Sequence, residues 1–272
     1  MDDDPIAAAT RARRRQITMP LADVVVDVVT EAEAVEVVVE SASRGEGGLV
    51  VTPNVDHLRL IAQGGWLGAL YADADLVVAD GMPLVWASRL MGDPLPERVA
   101  GSDLLELITG AAAAEGLSVY FLGGAPGTAD AAAAHFSQRW ADLKVAGTSC
   151  PPRGFERRRG GLDAVCDEVV GTSPAIVFVG LGAPKQEHVC VRLREAMPSA
   201  WCLGVGAAFD MAVGHVDRAP MWVRRIGAEW LYRFLQEPRR MGGRYLWHGV
   251  PFTLRLLVAS RRVGRDRSGR DA

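Results

Sequence analysis

Asp80 closes the apolar run 76–79 and precedes Gly81, so its carboxylate would stand on rigid backbone at a strand end, where it can take a proton from a hydroxyl nucleophile. The plainer reading of the pair is an Asp-Gly turn or helix cap. Thr52-Pro53-Asn54 ends the run 49–52. Proline fixes φ and removes one donor, which could aim Thr52 and Asn54 into a shared cleft; an Asn cap on a helix beginning at 55 fits the same residues equally well. The loop Gly182-Ala183-Pro184-Lys185-Gln186-Glu187 places Lys185, one of two lysines beside 28 arginines, in the first turn of a helix. The helix dipole disfavours a cation there unless an anion such as a diphosphate is bound. Gly123-Gly124-Ala125-Pro126-Gly127 resembles a phosphate cradle, but it is not G-x-G-x-x-G, and no acidic residue follows at the spacing of a dinucleotide fold. Asp73-Ala74-Asp75 has the D-x-D spacing that can hold a divalent cation. It precedes its strand and reads as a solvated loop, so no metal site is expected.

Such groups need a frame that gathers strand ends. From residue 17 onward short β-branched runs alternate with alanine-rich or amphipathic ones, the pattern of a parallel sheet covered by helices. Thr30-Glu31-Ala32-Glu33 is a capping box that starts a helix to about residue 43. Strands are predicted at 49–52, 76–79, 118–122, 145–148, 175–179 and 201–205, and helices at 55–63, 83–91, 102–115, 128–140, 162–170 and 185–196. The polar groups named above fall at carboxyl ends of these strands, where open parallel sheets bind their ligands. The expected organisation is a disordered leader over 1–16, an α/β catalytic domain over 17–215, a helical membrane-associating appendage over 216–260 and a disordered basic tail over 261–272. In the appendage Trp222, Ile226, Trp230 and Phe234 share one helical stripe flanked by arginines, which suits docking on the body or lying on a membrane.

The 272 residues, 49% hydrophobic and 23% charged, exclude a disordered chain or a mini-protein. A net charge of −3 hides a split: residues 218–272 carry 13 arginines against Glu229, Glu237, Asp266 and Asp271, whereas residues 1–217 carry 17 basic and 29 acidic side chains. The acidic body argues against a nucleic-acid partner, and the basic end asks for an anionic one. Cys150, Cys166, Cys190 and Cys202 show no C-x-x-C or zinc spacing and read as free thiols. The first residues lack the apolar core of a signal peptide. The run 245–260, interrupted by His248, Pro251 and Arg255, falls short of the ~20 residues that span a bilayer.

Taken in order, Thr52-Pro53-Asn54, Ala79-Asp80-Gly81, Pro96-Glu97-Arg98-Val99-Ala100-Gly101-Ser102-Asp103, Gly182-Ala183-Pro184-Lys185-Gln186-Glu187, Gly204-Val205-Gly206-Ala207-Ala208-Phe209-Asp210, Arg218-Ala219-Pro220 and Glu229-Trp230-Leu231-Tyr232-Arg233 resemble the WecG/TagA/CpsF glycosyltransferases. The resemblance covers roughly residues 17–245, and the ordered set is more specific than any one motif. It implies a Rossmann-like parallel α/β sheet sandwiched by helices, with a C-terminal helical basic appendage. It also implies an inverting, metal-independent transferase without a cofactor. The sugar, typically N-acetylmannosamine or its uronic acid, would move from a UDP-sugar to an undecaprenyl-diphosphate-linked GlcNAc acceptor. That places the enzyme on the cytoplasmic face of the membrane, in teichoic-acid, common-antigen or exopolysaccharide synthesis. Asp80 would be the base on the acceptor hydroxyl. Thr52, Asn54, Arg98 and Gln186 would line the sugar and diphosphate pocket, with Gly182, Lys185, Glu187 and Asp210 expected in the same substrate site. Arg233, Arg240 and Arg244 would meet the lipid acceptor and the membrane, and a homo-oligomer is allowed. Met82-Pro83 departs from the small or branched residues usual after Asp-Gly, which bears on donor or acceptor preference. Two competing readings are a nucleotide-dependent oxidoreductase built on the Gly123 loop and a non-catalytic membrane-surface scaffold in which Asp80 is idle.

Overall fold

The computed structural model describes residues 14–216, 219, 220, 223, 232 and 247–269. Six strands, β3 (Gly48–Val51), β4 (Leu76–Val77), β5 (Ser118–Gly123), β6 (Lys144–Ser149), β7 (Ile176–Gly180) and β8 (Trp201–Gly204), pair in parallel in the order β4-β3-β8-β7-β5-β6. Side chains of a strand alternate between faces, so a run apolar at every position belongs to a sheet covered on both sides. Leu49, Val51, Val77, Val177, Val179 and Cys202 enter one core, while Val50, Leu76, Ile176, Phe178, Trp201 and Leu203 enter the other.

The second core is closed by α1 (Glu31–Ser43), α5 (Gly101–Ala114), α6 (Thr128–Arg139) and the short α9 (Ala208–Ala212). There Phe121 meets Phe136, Phe178 and Phe209 with ring centroids 5.7–5.8 Å apart. The first core is closed by α2 (Val55–Ala62), α3 (Trp66–Asp73), α4 (Met82–Leu90), α7 (Gly161–Val170), α8 (Lys185–Ala196) and α10 (Val250–Ser268). The capping box at Thr30 and Glu33 is formed as the sequence predicts.

Three elements depart from expectation. An antiparallel hairpin, β1 (Gln16–Met19) and β2 (Val24–Asp27), buries Ile17, Met19, Val24 and Val26. Buried Asp27 ties it to the sheet edge by accepting from Val77 N (2.8 Å), Gln16 Nε2 (2.8 Å) and Arg14 Nε (3.3 Å). Arg14, Arg15 and Gln16, placed in the leader expected over 1–16, are therefore engaged in the fold, and Arg15 pairs with Asp93; residues 1–13 of that leader lie outside the described residues. Second, the connection to β4 contains the extra helix α3. Third, α10 runs through the boundary placed at 260, so residues 261–268 are helical rather than a disordered tail. Phe252, Leu256 and Ser260, spaced by four, are its buried face. The helix lies against α4 with its last turns beside Leu90 and Asp93. The stripe of Trp222, Ile226, Trp230 and Phe234 lies outside the described residues. Among the described residues no helix is long and apolar enough to cross a membrane.

Candidate active site

The carboxyl ends of β4, β3 and β8 lie side by side, and the chain leaves the adjacent β3 and β8 to opposite faces of the sheet, from β3 into α2 on the first core and from β8 into α9 on the second. Such a switch point opens a crevice at the strand ends. Beyond β4 the chain stays alongside β3, with Val78 N donating to Val51 O (3.0 Å) and Asp80 N to Pro53 O (2.9 Å). Asp80 is thus fixed by its own main chain at the rim, with 30% of its side chain exposed. Gly81 follows at φ +146°, a backbone angle that side chains rarely adopt, and starts α4 at once.

Arg98 reaches Asp80 from the segment before α5. Its Nη1 stands 3.8 Å from Asp80 Oδ1, and its Nη2 donates to Asp103 Oδ2 at 2.8 Å. Val99 N donates to Ala79 O, which locks this segment to the strand end. The amino end of α5 comes close enough that a Cβ on Gly101 would sit 3.5 Å from Thr52 Oγ1 and 3.3 Å from Gly204 O. On the far side of Gly204 lies buried Gln186, whose Oε1 accepts from Gly206 N (3.1 Å). Thr52, Asp80, Arg98, the start of α5 and Gln186 therefore converge. A cavity of about 10 Å³ lined by Thr52, Gln186, Glu187 and Gly204 lies beneath them.

Asn54 serves as the cap that the sequence allowed. Its Oδ1 accepts from Asp56 N and His57 N, and His57 Nδ1 accepts from Asn54 N (3.3 Å). This uses the amide oxygen and leaves the amide nitrogen as the group that can meet a ligand. Glu187 is only 4% exposed and faces inward. Its Oε1 accepts from Gln186 Nε2 (3.0 Å) and stands 3.7 Å from His57 Nε2. Glu187 thus links the loop after β3, through His57 and Asn54, to the loop after β8, through Gln186 and Gly206. It sits under the crevice and not on its surface. Burial raises the Glu187 carboxyl above its ordinary value, and burial, then the charges of Glu187 and Asp80, raise the buried Tyr71 phenol well above 10. Sequence reasoning missed His57, Tyr71 and Asp103; the N-x-x-H spacing from Asn54 was the signal for the first.

The remaining expected residues are not gathered there. Gly182 (φ +72°) and Lys185 lie at the end of β7, where Lys185 Nζ is 3.9 Å from Glu156. Asp210 accepts from Thr128 Oγ1 (3.3 Å) in the first turn of α6, so a carboxylate stands beside the helix start that the Gly123 loop feeds. Asp73 and Asp75 are at the amino edge of the sheet, paired with Arg194 at 3.0 and 3.2 Å, and Asp75 also accepts from Leu49 N. Asp73 is solvated as expected, with 79% of its side chain exposed, while the half-buried Asp75 is held as part of a clamp. Arg233, Arg240 and Arg244 lie outside the described residues. All four cysteines are free; burial pushes Cys166 to about 11 and Cys202 to about 12.

A sequence model of the family "Glycosyl transferase WecG/TagA/CpsF" matches residues 19–266. An N-acetylglucosaminyldiphosphoundecaprenol N-acetyl-beta-D-mannosaminyltransferase of Bacillus spizizenii is 31% identical over 197 residues, which span 72% of this chain and 74% of the relative.

Proposed function

The chain belongs to the WecG/TagA/CpsF glycosyl transferase family, and from that premise we propose that it moves N-acetylmannosamine, or its uronic acid, from a UDP-sugar to an undecaprenyl-diphosphate-linked GlcNAc, with inversion and without a metal. The observation that carries this reading is Asp80, a carboxylate held by main-chain bonds at the rim of the switch-point crevice, beside Arg98 and facing the start of α5. The relative's name gives the acceptor type and a beta-mannosaminyl product, and these come to this chain by kinship.

In the proposed reaction the acceptor hydroxyl attacks C1 of the donor sugar. Asp80 takes the hydroxyl proton as the new C–O bond forms, and the bond from C1 to the UDP oxygen breaks with its electron pair leaving on UDP. One base and an in-line path suffice for inversion, and a second carboxylate nucleophile is not needed. Arg98 and the amino end of α5 would balance the charge that collects on the diphosphate, a role fixed dipoles fill well where water is partly excluded. Thr52, Asn54 and Gln186 offer the neutral donors and acceptors for sugar and nucleotide. The oxidoreductase alternative is disfavoured by Asp210, whose carboxylate would repel a phosphate at the start of α6. A lipid-linked acceptor calls for a membrane surface, and the UDP-sugar donor of the proposed reaction for its cytoplasmic side.

The test is transfer from an alpha-linked UDP-N-acetylmannosamine to a short-chain lipid-diphosphate GlcNAc, with the new linkage assigned by NMR. A beta linkage supports the reading, and an alpha linkage overturns the inverting mechanism.

A further inference from the structure

The loop 150–160, between β6 and α7, has no part in the crevice. Its shape is nonetheless fixed: Phe155 is buried, a 3₁₀ turn spans Phe155–Arg157, and α7 begins directly after it. Held outward on this anchor are Arg153, Arg157, Arg158 and Arg159, all exposed, with the Arg157 side chain 88% exposed. Glu156 is the single acid in the loop, and it stands 3.9 Å from both Arg157 and Lys185. Four arginines and Lys185 against one glutamate make a cationic patch on a body that is otherwise acidic.

Its place in the fold gives the patch a direction. The loop leaves the carboxyl end of β6, an outermost strand, and touches Lys185 at the carboxyl end of β7. At the other end of the same edge stands the start of α10. α10 packs along α4 with its last turns beside Leu90 and Asp93, at the foot of α4, which directs its first turn toward the edge where α4 begins after Asp80. Trp247, just before α10, is 78% exposed there. An amphipathic aromatic on the β4 side and an arginine cluster at the end of β6 thus lie on either side of the crevice, and five inter-strand spacings, roughly 24 Å, separate β4 from β6.

We propose that Arg157, Arg158 and Arg159 form a second membrane foot, carried by the catalytic body itself, that binds the phosphates of anionic phospholipid headgroups. This rests on the reading that the acceptor is lipid-linked. Guanidinium forks match phosphate oxygens, and each basic side chain near an anionic leaflet strengthens binding by about fivefold. With Trp247 as the other contact, the crevice faces the leaflet in one orientation, which brings a lipid diphosphate to Asp80.

The full-length chain is tested by sedimentation with phosphatidylcholine vesicles with and without phosphatidylglycerol. The variants are Arg157→Ser/Arg158→Ser/Arg159→Ser, the same three positions changed to Lys, and Trp247→Ser. We expect the triple serine variant to lose at least about tenfold in binding to the anionic vesicles, with thermal melting and UDP affinity unchanged, and the lysine variant to keep most of the binding. Undiminished binding by the serine variant, with Trp247→Ser impaired, overturns the foot and leaves the lipid-linked reading standing. A parallel fall in UDP affinity overturns it in favour of a donor-phosphate role for the arginines. Absence of wild-type binding to either vesicle overturns both the foot and the membrane placement.

Discussion

Asp80 owes its position to main-chain bonds from Asp80 N and Val99 N, so its side chain can be changed without moving the loop that carries it. The supporting side chains behave differently. A Cβ on Gly204 would come within 2.7 Å of Gln186 Nε2, and Gly204→Ala should push Gln186 out of its contact with Gly206. UDP affinity measured by calorimetry is then expected to drop about tenfold, the scale of one lost hydrogen bond; an unchanged value would remove Gln186 from the donor site. Glu187 carries a pH signature. Its folded pKa is raised above 4.5 by burial, so it contributes most to stability below that value, and the contribution is lost as pH rises through the raised pKa. Urea unfolding should therefore show wild type losing stability relative to Glu187→Gln as pH climbs from 4.5, and a constant difference would contradict burial as the main cause. At this scale the sequence reveals chemistry only where a residue type is unusual for its place. Asp80 and Thr52 stand out at strand ends, whereas the inward turn of Glu187 toward His57 depends on how α2 and α8 pack.

The strands were legible as short apolar runs and the helices α1, α5, α6, α7 and α8 by helical spacing, to which only α1 among these helices adds a capping residue. The hairpin was not. Its strands have four residues each, and its turn places Leu21 and Asp23 at φ +73° and +52° without a glycine to mark it. Its support comes from contacts distant in sequence, the burial of Ile17, Met19, Val24 and Val26 in the first core and the bonds of Asp27. Asp27→Ala should strand Val77 N and Arg14 together and cost about 2–4 kcal/mol in urea unfolding. A loss below ~0.5 kcal/mol would mean that the bonds of Asp27 do not hold the edge strand. The spacing of Phe252, Leu256 and Ser260 carries α10 as far as the expected boundary, and the arginines beyond it hid the continuation to Ser268. Leu256, fully buried against the first core, makes the helix part of the body. Leu256→Ala is expected to lower stability by about 2–4 kcal/mol, and a neutral result would mean that α10 is only loosely attached.

Across the whole molecule the six-strand parallel sheet was foreseeable from alternation of element types, and the ordered motifs pointed to the family to which the chain belongs. Which motif residues share one crevice was not foreseeable, since strand order decides it: β8 inserts between β3 and β7, which brings Gln186 to Thr52 and leaves Asp210 near β5. With Asp73 and Asp75 clamped to Arg194 at the opposite edge, activity should survive a metal chelator, and a strict requirement for added manganese or magnesium would contradict the metal-free mechanism. The most direct measurement is UDP release from a panel of UDP-sugars, with and without a lipid-diphosphate GlcNAc acceptor analogue, comparing wild type with Asp80→Asn. Acceptor-dependent release from one donor is expected, falling at least ~100-fold in the variant, the scale of a lost general base. Release at near wild-type rate from folded Asp80→Asn, or none from wild type with any donor, would contradict the assignment of Asp80 as the base of a UDP-sugar transferase.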